Sequence, residues 1–276
     1  MRIVGFRYCY RQLQNFAGAV RHLQNWRELR QGARRERRGE ILARPAVLRF
    51  RNGLTIEMGP GSYANHDFLF REIFLEKCYQ PTPDFVPRPG WTVVDLGANM
   101  GFLTCQAASA AKGVRVIAVE PVYTEILRKN IAANRFADAL VVPGAVCGAP
   151  VDCIPLTIWF QPSGELMTGA VQKQAVKVET INAPGYTLPK IFELGRVERC
   201  DLLKVDIEGA EFELFEKIPD EVWNKIVRVV MEVHKDGGRS EQELVRILEQ
   251  KGFAVSLKDA ASNYPMLWAV KAEAES

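Results

Sequence analysis

The sequence predicts an α/β fold, a mostly parallel sheet with helices on both faces, and three observations carry that prediction. Strand-length apolar runs alternate with helix-length segments from residue 91 onward, the pattern of parallel strands joined by crossover helices. With 276 residues, 47% of them hydrophobic, the chain can bury the core of one large domain. Its six cysteines form no CxxC pair and no CxxC…HxxxH spacing, so neither structural zinc nor a redox motif organises the fold. No stretch approaches the roughly 20 uninterrupted apolar residues of a bilayer-spanning helix. Arg7 and Arg11 also break the apolar run that a signal peptide would need. The expected location is therefore cytoplasmic, with the periphery of a membrane as the variant considered below.

Residues 1–45 read as a basic amphipathic helical leader. Leu13, Phe16, Val20, Leu23, Trp26 and Leu29 recur every three to four residues and fall along one helical face, while Arg11, Arg21, Arg27, Arg30, Arg34 and Arg35 fall mostly elsewhere. Residues 1–51 hold 13 Arg, no Lys and three acids, a local balance of +10 in a chain whose net charge is +3. Such a helix can pack on its own domain or on a second copy, lie on an anionic membrane surface, or track a phosphate backbone. Removing residues 1–40 is expected to spare cofactor affinity while reducing liposome association or dimerisation; unfolding instead would make the leader part of the core.

Residues 46–84 read as a hairpin and a short helix. In VLRFRNGLTIEM (47–58) two alternating runs flank Asn52-Gly53, a pair suited to a tight two-residue turn. Phe68, Ile73, Leu75 and Tyr79 then mark a helix with Asp67 as its N-cap. PTPDFVPRPG, with four prolines, ends regular structure.

The main domain is expected over residues 85–276. Strands are read at 91–97, 114–119, 140–142, 201–206, 227–233, 253–257 and 266–270, with helices at 100–111, 123–135, 208–217 and 240–251. After the third strand, residues 148–200 contain IPLTIWF, QPSGELMTG and VQKQAVKVETI, read as an inserted β segment followed by a short helix at 188–192. Trp159, Phe160 and Met167 in this insert are candidates to line an acceptor pocket.

Chemistry enters at VVDLGANMGF, residues 93–102. Ligands of an open parallel sheet bind beyond the strands' carboxyl ends, where the first strand turns into its helix. Gly97 and Gly101 remove bulk from that turn, but the spacing is Gly-x-Asn-x-Gly and not the Gly-x-Gly-x-x-Gly of a dinucleotide site. Asp95, directly before the turn, is poorly matched to a pyrophosphate and suits a ligand bearing an ammonium or sulfonium charge. At the end of the next strand, IAVEP puts Glu120 in position to accept hydrogen bonds from two ribose hydroxyls.

VVDLGANMGF with VIAVEP resembles the S-adenosyl-L-methionine-binding motifs of class I methyltransferases. LLKVDIEGAEFELF with MEVH resembles the signature of the FkbM-type methyltransferase family. The four motifs stand in the family's order over about residues 62–258. The resemblance implies a Rossmann-like sheet and S-adenosyl-L-methionine as cofactor. It places Asp95, Gly97, Asn99 and Gly101 around the methionine part, with Ala98 and Phe102 in the same turn. Glu120 and Pro121 would hold the ribose, and Ala145 and Val146 would lie beside the adenine.

Methyl transfer to a hydroxyl needs alignment in a dry pocket and a group to take the proton. Asp206 ends the fourth strand at the cleft rim, beside the cofactor, Glu208 follows on the turn, and His234 ends the fifth strand. The expected catalytic set is His234 as proton acceptor, with Asp206 or Glu208 as its orienter or as a second base. Asp206 and Glu208 can equally cap the next helix. The carboxylates permit a divalent metal, but their spacing is not distinctive and none is assigned. The expected function is O-methylation of a small-molecule or glycan hydroxyl on a sugar, polyketide-like or other secondary-metabolite acceptor. The alternatives are a nucleic-acid methyltransferase, disfavoured because DIEG stands where an Asn-Pro-Pro-Tyr-type motif would, and a non-catalytic cofactor-binding scaffold docked to membranes.

Overall fold

The computed structural model describes residues 14–59, 62–63, 66–160, 166–167, 177–235, 238–258 and 264–272, without the side chains of residues 67, 159, 160, 166, 167 and 177. Trp159, Phe160 and Met167 as pocket candidates thus lie outside what is described.

The centre is a seven-stranded sheet. Its strands are β3 (Thr92–Leu96), β4 (Arg115–Val119), β5 (Ala139–Val142), β10 (Leu202–Val205), β11 (Arg228–Glu232), β12 (Phe253–Lys258) and β13 (Met266–Lys271), in the order β12-β13-β11-β10-β3-β4-β5. Only β13, between β11 and β12, runs against the others. The order reverses at β3: β4 and β5 lie to one side, β10 and β11 to the other. A crevice therefore opens above the carboxyl ends of β3, β4 and β10. The α/β reading and its strand positions hold.

Each strand's two-residue period divides the core. Val94, Leu96, Leu203, Val205, Val229 and Met231 join the cluster covered by α6 (Leu188–Leu194), α7 (Glu211–Lys217), α8 (Asp220–Trp223) and α9 (Glu241–Gln250). Val93, Val116, Leu202 and Val230 join a second cluster on the opposite face. That face is covered by α4 (Phe102–Ala110) and by the whole of the chain's N-terminal part: α1 (residues 14–22), α2 (Trp26–Glu36), β1 (Val47–Arg49), β2 (Thr55–Glu57), α3 (His66–Phe70) and a π-helical turn Arg71–Leu75. Leu23, Leu29, Leu48 and Ile56 are fully buried there. Helix α5 (Thr124–Ala133) packs Leu127 and Ile131 against Ala98 and Ala118.

Three local expectations are corrected. The leader is two helices, broken at residues 23–25, because Leu23 leaves the helix to bridge Phe50 and Gln24 donates its N–H to the Arg49 carbonyl. The hairpin loop has three residues, 51–53: Phe50 donates to the Leu54 carbonyl, the Gly53 N–H bonds the Phe50 carbonyl, and Gly53 sits at φ 94°. Asp67 lies inside the first turn of α3 and does not precede it.

Two asparagines of the α5 region fasten the hairpin. The Asn130 amide accepts from the Glu57 N–H at 2.7 Å and donates to the Glu57 and Met100 carbonyls. Asn134 brackets Thr55 in the same way. The insert forms a second sheet, β6 (Ala145–Val146), β7 (Cys153–Phe160), β8 (Leu166–Met167) and β9 (Lys177–Tyr186), in which β7 and β9 pair antiparallel over eight residues.

Candidate active site

The turn after β3 is held by close backbone packing. Gly97 has φ 73°, and a Cβ there would lie 1.8 Å from the Asp206 carbonyl oxygen, so the turn rests directly on the end of β10. Asn99 also has positive φ, 52°. Gly101, at φ 87°, begins α4, and a Cβ there would meet Leu127.

Glu120 joins this turn to the next. Its Oε2 accepts from the Asn99 N–H at 2.8 Å, and Oε1 accepts from the N–H groups of Val122 and Tyr123 at 2.7 and 2.9 Å. Burial pushes its pKa up, and the three backbone donors oppose that push. A carboxylate offers about four lone-pair sites. Three are taken, so one remains for a ligand hydroxyl where the sequence reading expected two.

Asp95 is corrected more fully. It is fully buried and turned away from the crevice: Oδ2 accepts from the Thr104 hydroxyl at 2.6 Å, and Oδ1 lies 3.3 Å from Lys204 Nζ. Asp95 and Lys204 are register partners on β3 and β10, so they share a face. Ala98 and Phe102 are likewise core residues, in contact with the α5 side and the hairpin side respectively.

Lys204 is the hub of the site. Its ammonium donates to the Leu96 and Gly97 carbonyls, lies 3.6 Å from Asp206 Oδ2, and faces the Tyr79 ring at 5.3 Å. Burial works against its charge, but Asp95 and Asp206 outweigh burial and raise its pKa. Tyr79 donates its hydroxyl to Asp206 Oδ2 at 2.9 Å, which anchors the N-terminal layer to the end of β10.

His234 ends up among acids. Its Nδ1 donates to Glu211 Oε1 at 2.9 Å, and Nε2 lies 3.4 Å from Glu208 and 3.9 Å from both Asp206 and Glu232. The orienting carboxylate is thus Glu211, which also accepts the N–H groups of Ile207 and Gly209. Burial acts to lower the His234 pKa, but the Glu211 bond and the surrounding carboxylates hold it up at about 9. An imidazole so placed is protonated at neutral pH. Two other acids are set near neutrality instead: Glu232 is pushed up to about 7 by burial and by Asp206 and Glu72, and Glu72 to about 7 by burial and Asp206. Asp206, Glu208 and His234 each bring a ligand atom within 4.8 Å of the others, which an ion or the imidazolium proton itself can satisfy.

Glu120, Asp206, Glu208 and His234 share one cleft of about 790 Å³, and Lys204, Glu211 and Glu232 are not part of its lining; the volume falls within the ~300–1,000 Å³ of small-molecule sites. Gly97, Asn99, Glu120, Pro121, Ala145 and Val146 line one part; Asp206, Glu208, His234 and Tyr264 line another; Leu156 and Ile158 of the insert form a wall. Of the sequence candidates, Asp95, Ala98, Gly101 and Phe102 do not line it. Sequence reading missed Tyr79 and Glu72 and gave no role to Glu211 or Glu232. A lysine in the middle of the apolar run LLKVD was the available signal, since a buried ammonium requires carboxylates around it.

Residues 95–255 match the Methyltransferase FkbM domain. The chain is 30% identical to the methyltransferase sdnD of Sordaria araneosa over 224 residues, 68% of this chain and 82% of that one. It is 30% identical to the 31-O-demethyl-FK506 methyltransferase FkbM of Streptomyces tacrolimicus over 240 residues, 76% and 89% of the two chains. Among solved structures it is similar to M. jannaschii TYW2 in complex with AdoMet, at 11% identity and TM-score 0.44, covering 82% of this chain and 84% of that one.

Proposed function

The chain belongs to the FkbM family of S-adenosylmethionine-dependent methyltransferases, and from that premise we propose that it methylates a hydroxyl oxygen of a sugar, polyketide-like or other secondary-metabolite acceptor. The observation carrying this reading is the shared cleft, with Glu120 and small residues at one part and an acid–imidazole group at the other. The Streptomyces relative, by its name, methylates an oxygen, which supports the same choice of acceptor atom.

The residues fit the cofactor. Glu120 keeps one acceptor site for a ribose hydroxyl, and Gly97, Gly144 and Ala145 leave the wall without bulk. When bound, S-adenosylmethionine supplies a methyl group on a positively charged sulfur. Asp206, at the cleft face, provides negative charge toward that region, with the Lys204 ammonium 3.6 Å behind it. Asp95 acts from below, by holding Lys204.

The acceptor's proton needs a base that is empty at neutral pH. His234, held up at about 9, is filled and serves as a fixed cation orienting the acids around it. Of the acids around His234, Glu208 and Asp206 line the cleft and Glu232 does not, so in this reading Glu208 or Asp206 takes the acceptor's proton.

Titration with S-adenosylmethionine and S-adenosylhomocysteine, followed by a labelled-methyl assay on fractionated cell extract, tests the proposal. Label in the small-molecule or glycan fraction is expected. Cofactor binding without transfer would favour a scaffold, and label in RNA or DNA would overturn the acceptor class.

A further inference from the structure

The leader's arginines remain outside the chemistry above, and the fold displays them. On α2, Leu29 and Ala33 are buried against the hairpin layer. Arg27, Arg30 and Arg34 recur at three- and four-residue steps on the opposite side, and Arg37 and Arg38 continue the row past the helix end. All five are exposed, and among the described residues none of them is in an ion pair. Their helix was therefore turned by burial of its apolar side, which leaves one uninterrupted cationic face.

Apolar side chains stand within that face. The Arg30 guanidinium lies 4.9 Å from the Phe16 ring centre and that of Arg27 5.0 Å from Trp26, while the two rings meet edge to face at 5.4 Å. Phe16 is 40% exposed and Ile41, just past the row, 88% exposed. A phosphate backbone would satisfy the guanidiniums and leave Ile41 and Phe16 in water. An anionic bilayer satisfies both at once, with phosphates for the arginines and the headgroup–acyl boundary for the apolar side chains. No helix of the described residues is long and apolar enough to cross a membrane, so contact through this face is contact with the surface.

We propose that the outer face of α2, with Phe16 and Ile41, docks the protein onto an anionic lipid surface. The test is co-sedimentation of the full chain with phosphatidylcholine vesicles, with and without phosphatidylglycerol. Binding only to the anionic vesicles, weakening as salt is raised, is expected. Arg27→Glu/Arg30→Glu/Arg34→Glu should weaken it by about tenfold or more, and Ile41→Ser should weaken it without altering its salt dependence. Titration with S-adenosylhomocysteine checks that each variant is folded. Should the triple variant fail that check, Arg30→Gln/Arg34→Gln takes its place, with a smaller loss expected. Equal binding to neutral vesicles, undiminished binding by folded variants, or binding to duplex RNA with none to vesicles would each overturn the proposal. Because the cofactor titration is independent of lipid, failure here leaves the reading of the cleft untouched.

Discussion

Lys204 concentrates the site's electrostatics into one side chain. Lys204→Met leaves the fully buried Asp95 carboxylate with only Thr104 for company, so a loss of about 3–5 kcal/mol in urea unfolding is expected. Adding Asp95→Asn should recover part of it. The proton acceptor is separable by substitution. With the acceptor found by labelling, Glu208→Gln or Asp206→Asn should lower kcat/KM by about 10²-fold or more, whereas Glu232→Gln, outside the cleft lining, should spare kcat. A rise in rate centred near 9 that disappears in His234→Asn would assign the base to His234. At this scale the sequence was half readable. Asp206, Glu208 and His234 stand at strand ends, and strand ends are where a parallel sheet exposes chemistry. Asp95 stood in the same kind of place, yet its direction depended on which face Lys204 would occupy, 109 positions away. Tyr79 and Glu72 come from a segment whose docking no local pattern encodes.

At the scale of elements, the turn after β3 gives a paired expectation. Gly97→Ala must both hold φ 73° and displace the Asp206 carbonyl, whereas Gly209→Ala, at φ 109° with nothing within 4 Å, carries only the backbone strain. The first should abolish binding of S-adenosylhomocysteine; the second should cost about 1–2 kcal/mol of stability, read by urea unfolding. The leader behaves as an element of the core. Leu29→Ala is expected to cost about 2–5 kcal/mol, and removing residues through 36 should lower the melting temperature sharply, because Leu48 and Phe50 lose their cover. Strands and crossover helices were legible because strands covered on both faces are written as apolar runs. The break at Leu23 was not, since helical spacing continues through it and only the bridge to Phe50 ends the first helix.

For the whole molecule, the acid–imidazole group links stability to pH. Glu72 and Glu232 have pKa values raised from the usual 4.5 to about 7, and His234 is raised from 6.5 to about 9. In each case the folded state holds the proton more tightly. The carboxyl contributions are complete below 4.5 and lost through about 7; that of His234 is complete below 6.5 and lost through about 9. Melting temperature should therefore fall as pH rises from 5 to about 9, and Glu72→Gln/Glu232→Gln should flatten the lower part of that fall. The parallel α/β layering was legible in strand–helix alternation, while the order reversal at β3 and the layer that closes the opposite face required the fold. The two asparagines on the α5 side carry a further consequence for that layer. A two-stranded ribbon ordinarily offers a free flank to any extended chain. Here Asn130 and Asn134 occupy the β2 flank at Glu57 and Thr55 like rungs of a missing neighbour, and Asn25 does the same for β1 at Val47 and Arg49, so both flanks are sealed against self-propagating assembly by side-chain amides instead of by another strand.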